Sequence, residues 1–149
     1  MAQFINFGNG HDGTATGKTG TVNTYAAMTA SSGDPTVTTN LTVAAGDMVL
    51  RHQTRIAAGG GGWGIVKVAS TGSGTFEATG NLTNTYAALS QAVLIPQYTT
   101  GDISGAITGT AWAGTSGGII ALICNGILTI SGTISINGGA GGSTGTVGA

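Results

Sequence analysis

The chemistry-bearing side chains of this 149-residue chain are two histidines, His11 and His52, one cysteine, Cys124, and the carboxylates Asp12, Asp34, Asp47, Glu77 and Asp102. A cysteine nucleophile needs a base held within reach, and neither histidine is close to Cys124 in sequence. Cys124 lies inside the apolar run "GIIALICNG". There a lone thiol forms no intrachain bridge and reads as a small buried hydrophobe. His52 stands in "GDMVLRHQTRI", where Met48, Leu50, His52, Thr54 and Ile56 share one side of an alternating strand. With no carboxylate or cysteine beside it at metal-ligand spacing, it reads as a hydrogen-bonded core histidine. Arg51 and Arg55 point to the opposite side with Val49 and Gln53, which reads as a solvated or interface face rather than a phosphate site.

The remaining constellations are weaker. "FGNGHDGTATGKTG" has glycines and a lysine but not the G-x-x-x-x-G-K-[ST] spacing of a phosphate loop, and no strand precedes it. "GNGHDG" offers a cation only Asp12 where calcium wants several carboxylates, so it reads as a turn-rich loop. Trp63 in "GGGGWG" is a sugar-stacking surface or, more commonly, an anchor of a loop on a core. The carboxylates lack the pairing that glycoside cleavage requires. The sequence thus predicts no enzyme, no cofactor and no metal site. Triads are assembled in space, so a meeting of His52, a carboxylate and Cys124 in one cleft would replace this reading with a hydrolase.

The elements that position these residues are predicted to be strands. Leu128, Ile130, Ile134 and Ile136 alternate with Thr129, Ser131, Thr133 and Ser135, and Gly132 falls on the apolar side, marking a bend, a bulge or a close backbone approach. "IIALIC" just before it has no alternation and reads as a strand covered on both faces. "GIVKVASTGSGTFEATG" has the pattern of a hairpin. Placing Ala69 opposite Thr75 sets Val68 against Phe76 and Lys67 against Glu77, a structural cross-strand pair. Strands are expected around 47–56, 65–69, 75–78, 92–95, 119–124 and 127–136. The near-identical "NTYAAM" and "NTYAAL" read as short helical turns or as an internal duplication of a strand-turn unit.

Four basic and five acidic side chains give a net charge of −1, while glycine fills 29 positions. Such a surface has no basic field for nucleic acid and little charge to oppose self-association. The start "MAQFINFGNG" lacks a secretory signal, and no stretch approaches the ~20 apolar residues of a membrane span.

"GDMVLRHQTR", "WGIVKV", "NTYAA", "AVLIPQY" and "AWAGTSGGIIALICNGILTISGTISINGGAGG", in that order, resemble a group of glycine-rich, β-helix-like proteins of phage tail fibres and bacterial surface proteins. The resemblance covers residues 46–142 and implies a structural or adhesive role, with the chain continuing into a glycine-rich region. It departs from the group at "GGGGWGIVKV", where a more charged strand is usual.

The expectations are therefore an all-β fold of antiparallel hairpins, a small β-barrel or a sandwich, leading into a β-solenoid-like C-terminal segment. Its parts are a loop-rich N-terminal arm over 1–45, a β domain over 46–136 with His52 and Cys124 in its core, and a glycine-rich linker or the start of an extension over 137–149. The expected function is a structural subunit of a phage virion appendage, a tail fibre or its N-terminal anchoring region. The alternative is a subunit of a microbial extracellular filament or surface adhesin. The expected partners are further copies of the chain, other virion or surface-assembly proteins and a host-surface glycan, with no nucleic acid and no membrane insertion. The expected location is the virion, or else the cell exterior.

Overall fold

The computed structural model describes residues 8–54 and 61–138. Among them every regular element is a strand: β1 (Thr14–Ala15), β2 (Gly20–Thr21), β3 (Thr24–Ala30), β4 (Thr36–Thr39), β5 (Met48–Gln53), β6 (Trp63–Gly72), β7 (Thr75–Ala78), β8 (Tyr86–Ile95), β9 (Gln97–Tyr98), β10 (Thr100–Ile103), β11 (Ala106–Thr108), β12 (Ile123–Cys124), β13 (Leu128–Ile130) and β14 (Thr133–Ser135).

Six of them close an antiparallel barrel in the order β3-β4-β7-β6-β5-β8. Closure leaves these strands without an edge. The lumen is packed by Met28, Val37, Val49, Val68, Phe76, Ala78, Tyr86 and Ala92. The barrel corrects the expected division of the chain, because β3 and β4 come from the segment expected to be a loop-rich arm. Threonine- and alanine-rich runs such as "TYAAMTA" conceal the alternation: the lumen here takes small residues, and Ala26 and Ala30 pack against the core alongside Met28. "NTYAAM" and "NTYAAL" likewise enter strands rather than helical turns, and those strands pair with each other, Ala30 opposite Tyr86.

The other strands form short parallel sheets. β10 lies between β1 and β13, pairing Thr14 with Thr100 and Gly101 with Leu128. β11 lies between β2 and β14, pairing Ile107 with both Gly20 and Ile134. β9 pairs with β12. The chain thus passes through the same two strand positions three times, and the barrel is inserted between the first pass and the second. The continuous strand expected over 127–136 is broken between β13 and β14 at Gly132. Of the strand expected over 119–124, only Ile123–Cys124 forms a ladder. The residues before it run over the outside of the barrel, where Asn23 Nδ2 donates to the Ala121 carbonyl at 2.6 Å and Gln91 Nε2 to the Gly117 carbonyl at 3.0 Å.

Candidate functional site

The polar cluster that links the barrel to the parallel sheets centres on His11. Gly10 and Gly13 adopt left-handed φ values of 69° and 71°, turning the 9–13 segment back against β9. His11 Nε2 reaches Asp47 Oδ1 at 3.0 Å and Asp12 Oδ1 at 3.6 Å. Nδ1 lies 3.1 Å from Asn9 Oδ1 and 3.3 Å from Gln97 Nε2, one acceptor and one donor. The carboxylates are themselves held: Asp47 Oδ2 accepts from the Ala44 amide at 2.7 Å, and Asp12 Oδ2 from the Gln97 amide at 2.6 Å. His11, Asp12 and Asp47 line a cleft of about 330 Å³ with Val22, Ala44, Leu94 and Pro96.

Both ring nitrogens of His11 face groups that hold the imidazole in place. The arrangement fastens the first loop to the β4–β5 connection and to β9. Sequence reasoning assigned His11 and Asp12 to a turn and considered Asp47 only as a partner of His52 and Cys124; its contact with His11 depends on a fold that brings distant segments together. Asp47→Ala strips the acceptor from the Ala44 amide and from His11 Nε2, and is expected to lower unfolding free energy by about 1–3 kcal/mol. Chemical denaturation checks this; an unchanged midpoint would mean that the cluster holds nothing together.

The residues singled out from sequence fall elsewhere. Along β5 the buried positions are Val49, Arg51 and Gln53, while Met48, Leu50 and His52 are half-buried on the outer side. The inside and outside of this strand are therefore reversed from expectation, and His52 is not a core residue. It sits opposite Trp63 and Gln91. Arg55 lies outside the described residues. Cys124 is also only half-buried, because β12 is an edge strand, and its thiol approaches the Ile127 carbonyl at 3.7 Å. His52 and Cys124 belong to different sheets, and among the described residues neither bonds to a carboxylate.

Lys67 and Glu77 do not face each other. Glu77 stands opposite Ser70 and accepts from Thr36 Oγ1 at 3.2 Å, while the Lys67 carbonyl accepts from the Thr79 amide. The expected register assumed a longer loop. The chain instead turns through Ser73 and Gly74, the latter at φ 68°, and the register shifts between Val68 and Ser70. Among the described residues no group of three His, Cys, Asp or Glu side chains is arranged to hold a metal ion.

Two tyrosines give the joins a pH dependence. Tyr25, in β3, donates its hydroxyl to the Ile119 carbonyl; burial pushes its phenol up, opposed by the Thr110 backbone. Burial, and then the nearby Asp12 carboxylate, push Tyr98 up. A raised phenol keeps its proton in the fold after the unfolded chain would lose it. Stability is therefore full below the ordinary phenol range and falls as pH rises past about 10. Tyr25→Phe is expected to flatten that alkaline decline, read as unfolding midpoint against pH; a decline as steep as that of the parent chain would remove Tyr25 from the account.

No protein-family model and no curated protein matches this chain. One solved structure, the crystal structure of the tailspike protein gp49 from Pseudomonas phage LKA1, is similar at a TM-score of 0.39 and 15% identity, over 79% of this chain and 22% of that one. This chain therefore spans less than a quarter of the tailspike's length, and so slight a likeness carries no argument about function.

Proposed function

We propose that the chain is a structural subunit of a phage virion appendage, a tail fibre or its anchoring region, and that it works by shape and self-association without a catalytic residue. The short parallel sheets are, in this reading, coils of a β-solenoid. The observation that carries the proposal is the contrast between the middle and last passes of the stack. Ile103 and Ile107, each with a strand on both sides, are 1% and 0% exposed, whereas their partners Ile130 and Ile134 on the last strands are 50% and 47% exposed. The residues of these edge strands include no charge and no proline, the usual means of blunting an open ladder. Further copies of the chain are the proposed cover, with other virion proteins as further partners.

The second reading, a microbial extracellular filament or surface adhesin, is favoured by Trp63. It is 65% exposed on the outer side of β6 rather than anchored on the core, and it offers a stacking surface for a host-surface glycan. Immunogold labelling with antibody against the chain separates the two. Labelled tail appendages on phage particles are the expected result. Labelled cell-surface filaments would transfer the assignment to the second reading, and label confined to the cell interior would contradict both.

A further inference from the structure

The barrel lumen is not uniformly apolar. Arg51, Gln53 and Ser90 are enclosed in it at 4%, 1% and 0% exposure. Gln53 is provided for: its Oε1 accepts from the Ala87 amide at 3.0 Å and contacts Ser90 Oγ, and its Nε2 points to the Ala88 carbonyl. Arg51 is not. Its Nε and Nη1 have no hydrogen-bond partner among the described residues, nor has the buried hydroxyl of Tyr86.

The Arg51 guanidinium and the Tyr86 side chain lie close together beside Gly64. The Arg51 guanidinium carbon lies 5.0 Å from the centroid of the Tyr86 ring. The point at which a Cβ would stand on Gly64 is 2.7 Å from Arg51 Nη2 and 3.6 Å from the Tyr86 hydroxyl oxygen. Gly64 and Ala92, the cross-strand neighbours of Arg51 on β6 and β8, place no long side chain beside the guanidinium. Among the described residues no carboxylate forms an ion pair with it. Burial pushes the Arg51 pKa down, with Tyr86 opposing. A guanidinium nonetheless keeps its charge in proteins, and an uncompensated buried cation is strongly destabilising. The ring face of Tyr86 offsets part of that penalty and uses none of the N–H donors.

We propose that this polar region of the barrel is a binding site for one compact monovalent anion, a halide or a small carboxylate, held by the free N–H groups of Arg51 and the Tyr86 hydroxyl. Both ligands accept several hydrogen bonds at one point and neutralise one charge. The site is independent of the assembly proposed above, since it lies inside the closed barrel.

The test is the thermal unfolding midpoint of the full chain, titrated separately with chloride and with formate at constant ionic strength balanced by sulfate. The expected result is a saturable rise, about 3–6 °C at ten times the dissociation constant. Tyr86→Phe is expected to move half-saturation to higher concentration. Arg51→Met is expected to abolish the rise and to melt no lower than the anion-free parent, because it removes the uncompensated charge. Tighter binding of formate assigns the site to carboxylates; tighter binding of chloride assigns it to halides. A non-saturating response, or the same response in Arg51→Met, overturns the proposal. If Arg51→Met fails to fold, crystals of the parent chain grown in bromide and in formate decide: either anion seen against the guanidinium supports the site, and the absence of both overturns it.

Discussion

Phe76→Ala is expected to lower the unfolding free energy by about 3–5 kcal/mol, the range for removing a fully enclosed phenylalanine side chain. Phe76 is 0% exposed and stands opposite Val37 on one flanking strand and Thr71 on the other. It belongs to the core cluster that the inner faces of the barrel strands form with Leu41 and Leu82. A domain this size has only about 5–15 kcal/mol of stability in total. The loss corresponds to a drop in thermal midpoint of roughly 6–20 °C. Circular dichroism melts measure it, and a loss under about 1 kcal/mol would mean that Phe76 does not pack in a closed lumen.

Gly132→Ala is the second large effect, and its cause is steric overlap rather than backbone freedom. A Cβ on Gly132 would overlap the Gly105 carbonyl oxygen, a backbone atom of the neighbouring pass that cannot rotate away. The amides of Ser131 and Gly132 both donate to the Ile103 carbonyl, at 3.0 and 2.8 Å, so the two passes are fastened where the overlap falls. The expected loss is at or above the ~1–3 kcal/mol usual for overpacking. It is confined to the parallel sheets and visible as faster amide exchange along β10, β11, β13 and β14 while the barrel strands stay protected. Gly138→Ala is the control: nothing stands within 4 Å of the added carbon, and it is expected to change stability by less than about 0.5 kcal/mol. Equal effects from the two substitutions would contradict the close approach.

How much of this was legible follows from the particular residues. The period-two alternation of 128–136 gave β13 and β14, and a glycine on their apolar side marked the close backbone approach that the structure contains. The alternation of β5 was equally legible, but its sidedness was not. Counting apolar residues sets Met48, Leu50 and Ile56 inside, whereas the barrel encloses Arg51 and Gln53 with Val49: Gly64 and Ala92 leave room beside Arg51, and Ser90 stands opposite Gln53. The hairpin was visible from its glycines, yet its register depends on the turn at Ser73–Gly74 and on the shift near Ala69, neither of which alternation encodes. The His11–Asp47 contact was invisible for a different reason: it requires the β4–β5 connection, midway through the barrel strands, to lie against a loop that precedes β1.

Sedimentation velocity across a wide concentration range, on the parent chain and on Ile130→Asp/Ile134→Asp, tests the proposed assembly through open strand edges most directly. The account predicts a homo-oligomer for the parent chain and a folded monomer for the double variant, whose two carboxylates would place charge on edges that otherwise have none. A parent chain that remains a monodisperse monomer at the highest concentration, or a double variant that assembles as the parent does, would contradict it.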